Sequence, residues 1–291
     1  MPVYIGLDIG GTKFMAAAAD AHGNILRRTR HDTPLELDAG LSLLHDMTRE
    51  VAQGEEIVAF GASAGGPMDQ VRGIISPLHQ PQWRDVPIKH IFEEKYGVPF
   101  RVEVDTDAAA LAEWQSGGDH AVRLLYVTLS TGCGAGFLID GEIYRGANGV
   151  HPEYAHCGVA RFPSTRNAPI LCECGAHDCL TALVSGNGIR HLYACAAEQL
   201  SDEQWHEVAF HLGQGLRNWA SILAPDVIVL GGGVAIGGGE TLLNEARRVM
   251  QENVRLTPVP QVRLSNLGYD TALRGAVVLA MQSTDAQSLF Q

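Results

Sequence analysis

The sequence has little positive charge. Lysine and arginine together number 21, against 33 aspartates and glutamates, which gives a formal net charge of −12. The basic residues are scattered along the chain, so they do not form the basic face or tail that binds nucleic acid. We therefore expect no nucleic-acid partner.

Long apolar runs are also lacking. No stretch approaches the roughly 18 consecutive apolar residues that a membrane-spanning helix needs. The opening residues, Met1-Pro2-Val3-Tyr4, contain no basic region followed by an apolar core, which a secretion signal would require. We expect a soluble, cytoplasmic protein without a membrane partner.

Cysteine is scarce, with six in the chain. Three of them, Cys172, Cys174 and Cys179, crowd together at a spacing better suited to a metal in a reducing compartment than to disulfide bonds. The other three are interpreted as ordinary buried thiols. They are Cys133, Cys157 and Cys195.

Hydrophobic periodicity and turn residues predict one order of elements twice: three strands, a helix and a further strand. The first set is expected at Val3 to Asp8, Phe14 to Asp20, Ile25 to Arg30, Leu37 to Gln53 and Ile57 to Ala62. The second set is expected at Leu124 to Ser130, Cys133 to Ile139, Glu142 to Tyr144, Asp202 to Leu223 and Asp226 to Leu230, with a hairpin signal at Asp140-Gly141. The repetition predicts a duplicated α/β domain.

A chain of 291 residues is long enough for two domains of about 150 residues each. We predict a first domain over residues 1–118 and a second over 119–271, with the boundary in Ser116-Gly117-Gly118-Asp119. The amphipathic stretch Ala272 to Gln282 predicts a C-terminal helix, about residues 272–291, that packs back on the first domain.

Three glycine turns directly follow predicted strands. They are Gly10-Gly11-Thr12-Lys13, Ser130-Thr131-Gly132-Cys133-Gly134-Ala135-Gly136 and Gly231-Gly232-Gly233. Such a turn exposes successive backbone N–H groups and lets a phosphate approach without a side chain in the way. In the first turn the Thr12 hydroxyl can also hold a phosphate. Asp8 can order the hydration shell of a Mg²⁺ ion, which usually keeps several waters.

Each turn alone is also typical of an ordinary hairpin or strand-to-helix connection. The third resembles a dinucleotide-binding fingerprint as well, since Gly231 to Gly237 fits G-x-G-x-x-x-G. Its place near the end of the chain argues against that interpretation, because the fingerprint belongs to a first βαβ unit. Since the three turns occupy duplicated positions, we favour phosphate binding.

These features resemble the ROK family of sugar kinases and related repressors, within the actin, hexokinase and heat-shock ATPase superfamily. The resemblance runs from Asp8 to about Ala280. Its markers are Leu7-Asp8-Ile9-Gly10-Gly11-Thr12-Lys13, the turn from Ser130 to Gly136, and Pro225-Asp226-Val227-Ile228-Val229-Leu230-Gly231-Gly232-Gly233. The most specific is His156 with Cys172-Glu173-Cys174-Gly175 and Asp178-Cys179, which looks like the family's zinc signature.

The resemblance implies two actin-like (ribonuclease H-like) domains, with a cleft between the lobes that closes on a sugar and ATP. Repressors of the family carry a DNA-binding winged helix ahead of the first turn. Only a few residues precede that turn here, so the chain resembles the kinase branch. The expected reaction is phosphorylation of a sugar, at the primary hydroxyl of a hexose, and family analogy suggests a homodimer.

The zinc signature implies a structural Zn²⁺ ion bound by His156, Cys172, Cys174 and Cys179. One imidazole and three thiolates complete a tetrahedral set without an open position for catalysis. In the family the corresponding histidine is also close to the sugar, so the metal would fix a loop that contacts substrate. His151 and His177 are alternative ligands, and free cysteines beside a hydrogen-bonded histidine are the alternative to a metal site.

The segment from Val102 to Glu113 resembles the family segment that contains the catalytic aspartate. That register assigns the proton-accepting role to Asp105, since phosphoryl transfer needs one group to receive the proton of the attacking hydroxyl. Capping of the following helix is the alternative for both Asp105 and Asp107.

Glu153 and His156 match the family's sugar-contacting glutamate and histidine, and Gly65-Gly66-Pro67 resembles the loop that lines the same pocket. The alternative for Glu153 is an ordinary surface carboxylate, and the alternative for Gly65-Gly66-Pro67 is a simple turn.

The chain departs from the family at three places. Val104 and Thr181 stand at substrate-binding positions where the family usually has asparagine and glutamate, and Pro152-Glu153-Tyr154-Ala155-His156 replaces Gly-Glu-Ile-Gly-His. Two hydrogen-bond partners for ring hydroxyls are thereby lost, so we expect a pocket unlike a standard glucokinase pocket. His79, Gln80 or Trp83 could compensate, although Trp83 is equally typical of packing. The departures also motivate an alternative function, a sugar or nucleotide sensor without turnover.

Overall fold

The computed structural model describes residues 1–117, 121–163 and 168–288. The chain divides into two compact units, the first formed by residues 1–112 with the C-terminal segment from Asp270, and the second by Glu113–Tyr269. The predicted boundary segment includes Gly118 and Asp119, which lie outside the described residues. Among the described residues, no helix combines the length and the apolar character that crossing a membrane demands.

The first unit is built on a five-stranded sheet with the order β3-β2-β1-β4-β7. Its elements are β1 (Val3–Ile9), β2 (Lys13–Ala19), β3 (Ile25–Asp32), α1 (Leu37–Ala52), β4 (Ile57–Ala64), β5 (Met68–Asp69), β6 (Ile74–Ile75), α2 (Ile88–Tyr96), β7 (Phe100–Val104) and the start of α3 (Asp105–Ser116). Strands β1 and β2 pair antiparallel, whereas β1, β4 and β7 run parallel. The carboxyl ends of β1, β4 and β7 therefore lie at one edge.

Helices cover both faces of this sheet. Alternate residues of β1, including Ile5 and Leu7, are fully buried in the core that also contains Leu44 of α1. On the other face, Gly6 pairs in register with Gly61 of β4. A Cβ atom at Gly61 would lie 2.0 Å from the Ala276 carbonyl oxygen, so glycine lets the C-terminal helix α8 (Thr271–Ser288) pack directly on the strands.

The second unit repeats the arrangement with a sheet of order β10-β9-β8-β11-β12. Its elements are β8 (Arg123–Leu129), β9 (Cys133–Ile139), β10 (Glu142–Ile143), α4 (Thr181–Val184), α5 (Gly186–Tyr193), α6 (Asp202–Ile222), β11 (Val227–Gly231), α7 (Gly233–Asn253) and β12 (Gln261–Leu264). Strand β8 is antiparallel to β9 and parallel to β11, as β1 is to β2 and β4. The predicted duplication of an α/β domain is confirmed.

The hairpin between β9 and β10 shows why local signals predicted this order well. Asp140 and Gly141 both have positive φ, 53° and 80°. Asp-Gly is favoured where both central residues of a two-residue hairpin loop need positive φ. The turn chemistry therefore sets the register of β9 against β10.

Candidate active site

The functional residues predicted for the first unit meet at one edge of its sheet. Ile9 pairs with Ala64, and Ala64 pairs with Val104, so β1, β4 and β7 end side by side. The residues that follow these strand ends are Gly10, Gly65 and Asp105. Crevices at the carboxyl ends of parallel strands are common ligand sites.

The first glycine turn is an exposed β1–β2 connection held by its own backbone. The Gly10 N–H donates to the Lys13 carbonyl at 3.1 Å, and the Thr33 hydroxyl donates to the Gly10 carbonyl at 2.7 Å. A Cβ atom at Gly10 would lie 2.7 Å from the Lys13 oxygen, so only glycine fits there. Gly11, Thr12 and Lys13 are exposed, as a phosphate-binding turn requires.

Asp8 lies half-buried beside this turn. The Ser63 hydroxyl donates to its Oδ1 at 2.8 Å. Burial raises the pKa of Asp8 to about 6 against the opposing Ser63 hydrogen bond, and repulsion from Asp105 and then Asp270 adds to the rise. The sequence signals did not identify Ser63 or Asp270, because both contacts join residues far apart in the chain. A divalent cation would balance the negative charge of these aspartates, so the site fits a Mg²⁺ ion.

Asp105 and Asp107 lie close in sequence but differ in access. Asp105 is exposed at the first residue of α3, where its Oδ1 accepts a hydrogen bond from the Thr106 N–H at 2.8 Å. Asp107 is 1% exposed. Of the two carboxylates, Asp105 is the one that a substrate can reach. Val104, the residue before it, is also buried, with 7% exposure.

The Gly65-Gly66-Pro67 loop is hydrogen-bonded to the segment that follows β6. The Leu78 N–H donates to the Gly66 carbonyl at 3.1 Å, and the Ser76 N–H donates to the Pro67 carbonyl at 3.0 Å.

The segment that follows β6 also contains His79, Gln80 and Trp83, the three residues considered as replacements for the lost hydrogen-bond partners of the sugar. His79 is exposed, and a Cβ atom added to Gly11 would lie 2.9 Å from the His79 Cβ. Gln80 is 5% exposed, and Trp83 is fully buried in a T-shaped contact with Phe14, with ring centroids 5.7 Å apart. Trp83 is thus a packing residue, whereas His79 borders the first turn.

The second and third glycine turns meet at the equivalent edge of the second unit. Strands β8 and β11 run parallel, with Gly231 paired to Thr128. Gly232 has φ 87°, and a Cβ atom there would lie 2.4 Å from the Leu129 carbonyl oxygen, immediately before the second turn. Exposed Thr131 and half-buried Gly132 complete that turn. The third turn leads into the N-terminus of α7, whose unpaired N–H groups favour anions.

His156, Cys172, Cys174 and Cys179 form a cluster whose ligand atoms all lie within 4.8 Å of one another. The Cys172 Sγ is 3.4 Å from the His156 Nδ1, and the Cys174 and Cys179 Sγ atoms are 3.7 Å apart. Ligands of a tetrahedral zinc ion, with Zn–S of about 2.3 Å and Zn–N of about 2.0 Å, lie roughly 3.5–3.8 Å from each other. The cluster therefore fits zinc. In the described part of the chain, neither His151 nor His177 belongs to it.

The thiols also fit a cation electrostatically. Burial, followed by the neighbouring thiols of Cys174 and Cys172, raises the pKa of Cys179 to about 12. Burial likewise raises the pKa of Cys172. The pKa of Cys174 is instead lowered, chiefly by a hydrogen bond from the Ala176 backbone. A bound metal would stabilise all three as thiolates.

His156 links this cluster to Glu153. Its Nδ1 faces Cys172, and its Nε2 lies 3.9 Å from the Glu153 Oε2. The Glu153 side chain is 66% exposed, so the pair presents an acceptor and a ring N–H to a ligand.

Thr181 follows the cluster at the start of α4. Its Oγ1 accepts a hydrogen bond from the Cys133 N–H at 3.1 Å, which fixes the first residue of β9 beside the second turn. No local pattern could predict this contact, because the two residues are 48 positions apart.

Comparison with known proteins identifies relatives along the whole chain. The family model described as "ROK family" matches residues 4–283. The glucokinase of Streptomyces coelicolor is 28% identical over 97% of this chain and 98% of its own length.

Two solved structures are also similar. The ROK hexokinase from Thermus thermophilus has a TM-score of 0.84 at 29% identity, covering 98% of this chain and 99% of that one. A ROK family glucokinase from Streptomyces griseus, solved with glucose and AMPPNP, has a TM-score of 0.80 at 28% identity, covering 96% and 99%. The predicted fold class, duplicated and actin-like, is confirmed.

Proposed function

Because this chain belongs to the ROK family, we propose that it is an ATP-dependent sugar kinase that phosphorylates the primary hydroxyl of a hexose. One observation carries the proposal: Gly10-Gly11, Gly65-Gly66 and exposed Asp105 share one edge of the first sheet. Glucokinase relatives that match almost end to end support the reaction class.

Phosphate binding is assigned to the three glycine turns. In the first unit, Gly11 and Thr12 offer N–H groups, Thr12 also a hydroxyl, and Lys13 an ammonium group. Gly10 closes the turn, because its N–H donates to the Lys13 carbonyl and only glycine fits there. In the second unit, the residues are Thr131, Gly132, Gly231 and Gly232. Backbone N–H groups in such turns bind phosphate oxygens without reorganisation, which is how they stabilise charge during phosphoryl transfer.

Asp105 is assigned as the proton acceptor for the attacking hydroxyl. Its place in the first turn of α3 stabilises the carboxylate, since helix N-termini favour negative charge. The Thr106 N–H donates to the Asp105 Oδ1 and orients the carboxylate. A general base of this kind contributes roughly 10²–10⁴ in rate.

Asp8 is assigned to the Mg²⁺ ion of the nucleotide, through its hydration shell. When bound, Mg²⁺ neutralises charge on the transferred phosphoryl group. Burial and the negative charges of Asp105 and Asp270 destabilise the ionised form of Asp8. A cation bound beside Asp8 would offset this effect, which supports the role.

Sugar binding is assigned, from the family resemblance, to Gly65, Gly66, Glu153 and His156. Glu153 can accept from a ring hydroxyl, and the His156 Nε2 can donate to one, because its Nδ1 faces the cysteines. A structural Zn²⁺ ion on the cluster would hold that ring in place.

Replacing Asp105 by asparagine tests the assignment. We expect turnover to fall about 10²–10⁴-fold, while calorimetry finds sugar and ATP affinities within about threefold of the original. Asp38→Asn is a matched control, since Asp38 is likewise an exposed aspartate in the first turn of a helix. Near-normal turnover of Asp105→Asn would refute the role.

A sensor without turnover is the second candidate. Buried Val104 offers no polar group, and the Thr181 hydroxyl is already engaged with Cys133. ADP release measured across a panel of hexoses separates the two functions. Sugar binding without ADP release on any hexose would favour the sensor.

A cytoplasmic location and a homodimer complete the proposal, and the homodimer rests on the family resemblance. Light scattering of the purified chain tests the dimer. A monomer at micromolar concentration would contradict it.

A further inference from the structure

The ligands of the proposed zinc cluster come from two parts of the second unit. His156 begins the histidine segment, residues 156–162, and the three cysteines belong to the cysteine loop, residues 170–179. A metal site depends on outer contacts that hold the ligands in position. Two charged side chains, Arg161 of the segment and Asp178 of the loop, join the two parts. Neither residue has a role in the assignments above.

Asp178 closes the cysteine loop at its base. The Asp178 N–H donates to the Ile170 carbonyl at 2.8 Å, and the Asp178 Oδ1 accepts the Ile170 N–H at 2.9 Å. The φ of Asp178 is 57°, a left-handed conformation that glycine adopts without steric cost. The aspartate side chain therefore supplies a contact that the residue best suited to this conformation would lack.

Arg161 reaches this carboxylate from the histidine segment. The Arg161 Nη1 lies 2.7 Å from the Asp178 Oδ1, and it also donates to the Ala168 carbonyl at 2.9 Å. The two charged side chains are 12% and 31% exposed, so solvent screens this pair less than it screens an exposed pair. Charge-assisted hydrogen bonds are stronger than those between neutral groups. The pair therefore connects the histidine segment firmly to the cysteine loop.

Helix α6 holds the histidine segment in place on both sides of Arg161. The Asn218 Nδ2 donates to the Gly158 carbonyl at 3.2 Å. The Phe162 N–H donates to the Nε2 of His211, which is fully buried, at 3.0 Å. Both acceptor and donor side chains belong to α6. Because the backbone is fixed before and after Arg161, the guanidinium group can hold the loop in one position.

We propose that Arg161 and Asp178 are positioning residues. Their ion pair holds the cysteine loop against the histidine segment, which slows the loss of zinc and orients the His156 ring toward the hexose. The inference rests on the proposed function only where it concerns the hexose, since the zinc part depends on contacts within the second unit.

Release of zinc from the loaded full chain to an excess of a chromogenic chelator tests the zinc part. Outer partners of metal ligands contribute about 10–100-fold to metal affinity, so Arg161→Gln and Asp178→Gly are expected to release zinc at least about tenfold faster. Glycine suits a φ of 57° better than aspartate does. If Asp178 only shaped the turn, Asp178→Gly would retain zinc at least as well as the unaltered chain.

A mutant cycle shows whether the two residues act as a pair. Asp178→Asn keeps an oxygen for the Ile170 N–H and loses the charge, so we expect the fold to persist. The double variant with Arg161→Gln and Asp178→Asn should release zinc no more than about twofold faster than Arg161→Gln alone, because partners in one contact have non-additive effects. Arg49→Gln, which breaks an exposed ion pair with Asp46 in the first unit, is the matched control and should leave the release rate unchanged.

Calorimetry on the zinc-loaded variants tests the hexose part. For Arg161→Gln, the Kd of the hexose that performs best in the ADP-release panel is expected to rise at least about fivefold, while the Kd of Mg²⁺·ATP stays within about twofold. General damage to the fold would weaken the binding of both ligands alike. The difference between them therefore separates the positioning of His156 from a loss of stability.

The proposal is overturned if Arg161→Gln releases zinc at the rate of the unaltered chain, if Asp178→Gly retains zinc equally well, or if the effects of the single variants multiply in the double variant. It is also overturned if hexose affinity stays unchanged or falls no more than ATP affinity. Failure of the kinase function looks different: no hexose would release ADP, while the variants would still differ in zinc release.

Discussion

Replacing Asp8 by asparagine is expected to stabilise the chain at neutral pH. Burial raises the pKa of Asp8 from 3.8 to about 6, with Asp105 and Asp270 adding to the effect and the Ser63 hydrogen bond opposing it. A shift of about two units corresponds to about 3 kcal/mol, and solvent screening at a half-buried position reduces this to about 1–2 kcal/mol. An asparagine oxygen can still accept the Ser63 hydroxyl, so the variant loses the charge and keeps the bond.

The pH dependence follows from the sign of the shift. The folded chain holds the Asp8 proton more tightly than the unfolded chain does, so this residue lowers stability as pH rises from about 4 to about 6. Below that window the carboxyl is protonated in both states. The advantage of Asp8→Asn should therefore be absent near pH 4 and complete above pH 6.

Thermal unfolding of the full chain at several pH values measures this effect. For a chain of this size, about 1–2 kcal/mol raises Tm by roughly 2–6 °C, and Asp38→Asn serves as the control at an exposed site. ADP release by Asp8→Asn should fall at least about tenfold, since the proposed Mg²⁺ contact is lost. An unchanged or lower Tm above pH 6 would refute the reasoning.

Two further predictions concern the second unit. A purified chain should contain about one equivalent of zinc, and a chelator should lower its Tm; less than about half an equivalent, or an inert chelator, would contradict the cluster. Gly232→Ala should cost about 1–3 kcal/mol and weaken ATP binding at least about tenfold, because φ is 87° and the added Cβ would meet Leu129. Gly54→Ala, with φ 79° and no atom within 4 Å of the added Cβ, is the control that shows the cost of placing alanine at positive φ without a steric clash. Unchanged ATP binding by Gly232→Ala would contradict the assignment of Gly232 to phosphate binding.

Local chemistry made most of the fold predictable. The buried run of β1 and the Asp140-Gly141 turn each act over a few residues, and the predicted strand ends lie within two residues of those observed. Duplication was visible because the same local signals recur in the same order. The strand-end positions of Gly10, Gly65 and Asp105 then followed from parallel pairing, since parallel strands end together.

Helix α7 was not predicted, and its glycines explain why. Gly237, Gly238 and Gly239 fall inside Gly233–Asn253, and Gly239 has a positive φ of 54° where the helix is kinked. Glycine lowers helix propensity by about 1 kcal/mol per residue, so this run is typical of a loop. The helix is stabilised by burial of its later turns, where Leu242 and Met250 are at most 2% exposed.

Thr181 shows the limit of reading a site from a motif. The resemblance predicted a lost hydrogen-bond partner for the sugar at this position, where the family has a carboxylate. The structure gives the hydroxyl a different partner, the Cys133 N–H of β9, so the residue now supports the second glycine turn. Because that contact depends on two segments 48 positions apart, no local pattern could predict it. We infer that Thr181 serves the nucleotide side of the site, and that Glu153 and His156 carry sugar recognition in this unit.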